Sequence, residues 1–220
     1  AAENNQPIFI DAEESWIQTA IDDLANENMA LHNKQNVIVY NTYQLYRHDR
    51  LAYLTTSIEL AKKHGYKVGA KLVRGAYMEK ERKRAEEMKY ESPIQITKEK
   101  SDSDYNKALK LCVDNIDMMA VCAGTHNEES SLTLVKLMNE AKLPSNDKRI
   151  YFSQLYGMSD HISYNLSVNG YNVSKYVPYG PVKEVLPYLI RRAQENTSVK
   201  GQTGRELGLI IKEKARRKKI

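Results

Sequence analysis

Short apolar runs alternate with longer amphipathic stretches along the whole chain. The runs are Pro7–Ile10, Asn36–Tyr40, Val68–Val73, Met118–Ala123, Arg149–Phe152 and Tyr171–Val177. Several are rich in β-branched or aromatic residues, the composition of buried strands. Between them apolar residues recur at helical spacing. Ser15–Leu31 carries Trp16, Ala20, Leu24 and Leu31 in this way. The same pattern predicts helices over Leu51–Lys63, Glu79–Tyr90, Asp104–Asp117, Glu128–Ala141, Ser159–Val168 and Val182–Gln194. Gly65, after Lys62, Lys63 and His64, marks a helix C-terminus. The polar stretch Glu91–Ser103 reads as a longer loop.

Six strand-then-helix units imply a parallel sheet with crossover helices. An open doubly wound sheet that binds a dinucleotide would carry a Gly-rich first turn, and no G-x-G-x-x-G is present. Polar residues instead follow nearly every strand: Asp11, Asn41, Arg74, Thr125 to Asn127, Gln154 and Tyr179. In a barrel each strand's C-terminal end contributes to one site in this way. The expected fold is therefore an α/β, (β/α)8 TIM-like barrel. A complete barrel takes about 250 residues, so this one is expected to lack its first two strands and to form a single domain over 1–220.

Composition narrows the picture only a little. The chain has 220 residues, 41% hydrophobic and 28% charged, which suits a folded domain rather than a disordered chain. No apolar run approaches the roughly 20 residues of a transmembrane helix. Much of the net charge of +5 sits in the last nine residues, 212–220, which read as a frayed basic tail. Cys112 and Cys122 have neither metal-ligand nor disulfide-framework spacing. The 15 tyrosines against two phenylalanines suit a pocket with apolar walls and polar tips.

Candidate chemistry lies at the strand ends. Lys71 and Arg74 bring cations to the end of the third strand, and Gly75 permits close approach to the backbone. Thr125, His126 and Asn127 follow the fourth strand. In the last predicted helix Tyr188, Arg191, Arg192 and Glu195 share one face, opposite a core face of Leu186, Leu189, Ile190 and Ala193. Paired guanidinium groups form a planar fork that suits a carboxylate or phosphate. Nucleophile elbows, zinc-protease motifs and catalytic carboxylate pairs are absent from the sequence. Such a site binds an anion and leaves the reaction to a cofactor.

Taken together, FIDAEE, KLVRGAYMEKE, AGTHN, FSQLYGM and YVPYGPVKEVLPYLIRRAQEN resemble the proline dehydrogenase family, in its mitochondrial, fungal-like branch. The resemblance spans essentially the whole chain in the family's order. It implies FAD as cofactor and oxidation of L-proline to Δ1-pyrroline-5-carboxylate. It also implies electron transfer to a membrane quinone, at the matrix side of the inner mitochondrial membrane, without a role for nucleic acid or metal. By the same resemblance, Arg191 and Arg192 bind the proline carboxylate, and Tyr77, Leu155, Tyr176 and Tyr188 wall the ring. Asp11 and Lys71 are the expected catalytic pair: Asp11 matches an acid near the substrate, and Lys71 places positive charge by the flavin. Ala12, Asn41, Arg74, Gly75, Ala76, Thr125, His126 and Glu195 match the flavin contacts or their support. Lys71 stands where many relatives have Arg, and Asn41 where bacterial relatives have Gln. The family's active-site Lys on an earlier strand has no counterpart, so the chain is expected to be the C-terminal portion of the barrel. From the residues alone, two other readings stay open: a different anion-binding barrel enzyme, or an inactive binding module attached to a membrane through its basic tail.

Overall fold

The computed structural model describes residues 1–198 and 202–218, with the side chains of Arg191, 193–198, 202–207 and 209 left out. Six strands form one sheet in sequence order, β1 (Ile8–Ile10), β2 (Val39–Gln44), β3 (Val68–Val73), β4 (Met119–Gly124), β5 (Ile150–Leu155) and β6 (Val173–Tyr176). The pairs from β1 to β5 are all parallel. Sequential order without a reversal is the order of a barrel wall, whereas a doubly wound sheet reverses at its switch point. The helices are α1 (Ser15–His32), α2 (Arg50–His64), α3 (Met78–Met88), α4 (Lys98–Asp114), α5 (Glu128–Glu140), α6 (Asp160–Val168), α7 (Val182–Ser198) and α8 (Gln202–Arg217). The chain divides into two compact units, one of residues 1–154 and 160–175, the other of residues 155–159 and 176–220.

In the first unit the core lies between one face of the sheet and the helices. Val68, Ala70, Leu72, Val121, Ile150 and Phe152 are fully buried there against Leu54, Leu109, Leu134 and Met138. Alternation along each strand then turns Tyr40, Thr42, Lys71, Cys122 and Tyr151 to the opposite face. Gly65 ends α2 in the left-handed conformation, φ 65°, as the sequence predicts. Asn33, fully buried between α1 and β2, bonds every part of its amide. Its Oδ1 accepts from the Ile38 and Val39 N–H groups, both at 2.9 Å, and its Nδ2 donates to the carbonyls of Val39 and Lys67.

Three expectations change, and α1, a helix as expected, buries a side that its apolar spacing does not mark. The stretch Glu91–Ser103 is only partly loop, because α4 begins at Lys98 behind a Thr97 N-cap whose hydroxyl accepts from Lys100 N. The basic tail is helical through Arg217 rather than frayed from Lys212. The side of α1 that carries Trp16, Leu24 and Leu31 is 40%, 58% and 68% exposed, while Gln18, Asp22, Ala25 and Met29 form its buried stripe. In α7, Leu186, Leu189 and Ile190 are each about half exposed rather than core.

The polar stripe of α1 is buried because it is satisfied. The Asp22 carboxylate accepts from Gln18 Nε2 and Asn41 Nδ2, both at 2.9 Å, and from Arg50 Nη1 at 2.6 Å. Arg50 also donates to Asp49 at 2.7 Å and stacks on Tyr53. Burial alone would raise the Asp49 pKa, but bonds from Arg50 and Arg47 outweigh it and hold the carboxyl below its ordinary value.

Candidate active site

In the first unit the groups at the C-terminal strand ends converge in two clusters. The first is built on β1 and β3. Lys71 lies beside Thr42 of β2 and Cys122 of β4 in register, on the sheet face away from the helix core. Its ammonium pairs with the Asp11 carboxylate and lies 5.7 Å from the centre of the Phe9 ring, which packs on Tyr40 at 4.8 Å. The two residues expected to be catalytic are therefore brought together. Burial pushes the neighbouring Cys122 thiol up to about 11, with the Lys71 charge opposing the rise.

The segments after β1 and β3 are tied to each other. Tyr77 Oη donates to Glu13 Oε2 at 2.7 Å, Lys80 pairs with Glu14, and fully buried Glu81 accepts from Ser15 N at 2.6 Å and Ser15 Oγ at 2.7 Å. Glu81 thereby supplies an anion to the N-terminus of α1, where the helix dipole favours one. Glu13 and Glu81 do not stand out as site residues in the sequence, where they read only as acids in the first turns of helices. Ala12 is partly buried between Asp11 and Glu13.

The second cluster is built on Arg74. Its guanidinium donates to Asp102 Oδ1 at 2.5 Å, Thr125 Oγ1 at 2.8 Å and Ser130 Oγ at 3.0 Å, and stacks on Tyr105 at 4.5 Å. Burial would raise the pKa of Asp102, but bonds from Lys98 and Arg74 outweigh it and hold the carboxyl below its usual value. Thr125 Oγ1 also accepts from Asn127 N at 3.0 Å, and its hydroxyl lies against that of Tyr105. His126 is half-buried next to it. Asn127 caps α5 by accepting from Ser130 N. Asp102 and Ser130 were invisible as partners, since Asp102 lies in the stretch expected to be loop.

Gly75 has φ 134°, and a Cβ there would meet the Tyr46 ring at 2.4 Å. The close approach that this glycine permits is therefore that of Tyr46, whose backbone N–H also donates to the Arg74 carbonyl at 2.8 Å. Ala76 follows it toward α3. Asn41 is fully buried, with its amide nitrogen on Asp22 and its oxygen accepting from Thr42 N at 2.8 Å. The structure thus places Asn41 in the network with α1 and not with Lys71. At the end of β2, Gln44 is buried with its side-chain oxygen unbonded.

In the second unit, Tyr176 and Tyr188 meet with ring centres 5.6 Å apart, and the Arg192 guanidinium lies 5.3 Å from the Tyr188 ring. Tyr188 and Arg192 therefore share a helix face, as their spacing predicts. Tyr156 N donates to Tyr176 O at 3.0 Å, and Leu155 is partly buried at the end of β5. The Arg191 and Glu195 side chains lie outside the described residues.

Comparison with known proteins decides the lineage. Residues 1–205 match the family model described as proline dehydrogenase. The chain belongs to the proline dehydrogenase family. It is 43% identical over 220 residues to human proline dehydrogenase 1, mitochondrial, covering 99% of this chain and 37% of that protein. The Drosophila melanogaster protein of the same name is 40% identical, with 99% and 33% covered. Hydroxyproline dehydrogenase of Xenopus laevis is 38% identical, with 99% and 47% covered. The chain thus spans between a third and a half of the length of these relatives. Among solved structures, proline utilization A from Bdellovibrio bacteriovorus, inactivated by N-propargylglycine, superposes with a TM-score of 0.82 at 25% identity. That match covers 88% of this chain and 20% of the other, and it agrees with six parallel strands of a TIM-like barrel.

Proposed function

We propose that this proline dehydrogenase family chain carries the FAD-dependent oxidation of L-proline to Δ1-pyrroline-5-carboxylate. Electrons pass on to a membrane quinone at the matrix side of the inner mitochondrial membrane. The mitochondrial relatives support the location. The observation that carries the reading is the Lys71–Asp11 pair, which ties β3 to the end of β1 across the intervening β2, inside the two motifs that the family resemblance assigns to flavin and substrate.

The donor set fits a flavin. Lys71 offers a cation, and the buried Gln44 oxygen offers an acceptor to an N–H group. When bound, FAD supplies the two-electron acceptor that takes hydride from the ring carbon beside the proline nitrogen. Lys71 stabilises negative charge that grows there, and Asp11 orients the Lys71 ammonium. Thr125, His126, Ala12 and the backbone of Arg74, Gly75 and Ala76 hold the cofactor, while the Arg74 side chain fixes Thr125 in place. Asn41 acts by holding β2 against α1. Arg191 and Arg192 grip the substrate carboxylate as a fork, and Glu195 steadies that fork. Tyr77, Leu155, Tyr176 and Tyr188 shape the space for the ring. Fixing the ring in a reactive orientation lowers the barrier by several kcal/mol, out of about 7–11 available to ideal positioning.

The test is the visible spectrum of the purified full-length protein, before and after anaerobic addition of L-proline. A flavin band that bleaches supports the reading. A colourless protein, or a flavin reduced by dithionite but not by L-proline, overturns it.

A further inference from the structure

The C-terminal helix α8 carries two properties on adjoining positions. Ile210 and Ile211 are 64% and 57% exposed. Beyond them Lys212, Lys214, Arg216, Arg217 and Lys218 are all exposed. The one acid in this stretch, Glu213, has both carboxylate oxygens occupied, by Arg216 and Arg217 at 2.8–2.9 Å. At 100° per residue, Ile210, Ile211 and Ala215 fall within an arc of about 140°, and Lys214 and Lys218 rise from inside it. Glu213 falls outside that arc. Lysines so placed lay their methylene stems along the apolar stripe and send their ammonium groups past it.

We propose that α8 lies flat on an anionic lipid surface, with Ile210 and Ile211 among the acyl chains and Lys214 and Lys218 at the headgroup phosphates. A partner for this helix must be apolar and anionic over a few ångströms. The boundary of an anionic bilayer meets both demands. A nucleic-acid backbone meets only the second and leaves two isoleucines in water. Among the described residues no helix is long and apolar enough to cross a membrane, so α8 rests on the surface rather than spanning it. The inference deepens the proposed membrane contact and rests on that reading for its choice of partner.

The test is co-sedimentation of the full-length protein with vesicles of phosphatidylcholine, alone or mixed with phosphatidylserine, at low and high salt. The expected result is binding to the mixed vesicles that high salt abolishes. Ile210→Asp with Ile211→Asp should remove it, and Lys214→Gln with Lys218→Gln should weaken it by about fivefold for each lysine. Far-ultraviolet circular dichroism and proline-dependent reduction of a soluble dye check that each variant is folded. A further variant, Ile211→Trp, gives a second readout, because its fluorescence should shift to the blue on anionic vesicles. Variants that sediment like the parent, equal binding to neutral vesicles, unshifted fluorescence in Ile211→Trp, or binding to DNA but not to vesicles would each overturn the proposal. Normal vesicle binding by a protein that does not oxidise proline would uphold the anchor and sink the enzymatic reading instead.

Discussion

Replacing Asp22 by Ala tests whether the polar stripe of α1 holds the sheet in place. The Asp22 side chain is 5% exposed and that of Arg50 is 9% exposed. The substitution removes the acceptor of three bonds, from Gln18, Asn41 and Arg50. Deleting one partner of a buried ion pair costs about 3–5 kcal/mol, because the other charge stays buried. Arg50 keeps Asp49, which is 37% exposed, as a second counterion at 2.7 Å, so the lower end, about 3 kcal/mol, is expected. For a chain of this size each kcal/mol moves Tm by about 2–4 °C, which gives a fall of about 6–12 °C. Urea unfolding followed by circular dichroism reads the loss as a lower midpoint with an unchanged slope. Adding Arg50→Met to Asp22→Ala should return part of it, since the orphaned charge is then gone. Asn41→Ala should also destabilise the parent and add little in the Asp22→Ala background. A loss below about 1 kcal/mol for Asp22→Ala would mean that water solvates Arg50 in place, and the reasoning from burial would fail. Flavin loss without destabilisation in Asn41→Ala would return that residue to the cofactor.

Three further outcomes are expected. Arg192→Met should raise the KM for L-proline by about ten- to a hundredfold, the value of one charge-assisted hydrogen bond, and unchanged steady-state kinetics would remove the clamp. Arg74→Lys keeps the charge but cannot fork to Asp102, Thr125 and Ser130, so flavin content per protein and Tm should both fall; a fully yellow, equally stable variant would contradict the hub. The folded-state pKa of Asp102 lies below its ordinary 3.8. Its contribution to stability is therefore complete above that value and is lost as pH falls through the folded one. Melts taken across the carboxylate range, from about pH 5 to about pH 2, should show a shallower acid loss in Asp102→Asn than in the parent.

The alternation of apolar runs made the six units, their order and the ends of most helices legible, because β-branched runs and a glycine C-cap act locally. It located α1 as a helix without revealing its buried side, since apolar spacing at Trp16, Leu24 and Leu31 marks the exposed one. The buried stripe there depends on Arg50 and Asn41, which are remote in sequence. It placed the second strand at Asn36–Tyr40, short of Gln44, since Asn41, Thr42 and Gln44 are polar yet buried. The first turns of α4 are nearly all polar, so no periodicity announced Asp102 as a partner of Arg74. Of the candidate site, the shared face of Tyr188 and Arg192 was legible from helix spacing, and the strand-end positions of Lys71 and Asp11 were legible while their ion pair was not. The ties of Tyr77 to Glu13 and of Glu81 to Ser15 join residues more than sixty positions apart, and only the fold reveals them.

Asn33 has a consequence for how the sheet is assembled. Its amide reads β2 and β3 together, taking two successive N–H groups before and at the start of β2 and giving to carbonyls of Val39 and Lys67. Slide β2 past β3 by one residue and the four bonds can no longer be made at once. Each buried group left over costs about 1–3 kcal/mol. A misaligned intermediate is thus penalised at a residue that belongs to neither strand. Proofreading of the strand alignment is delegated to a loop.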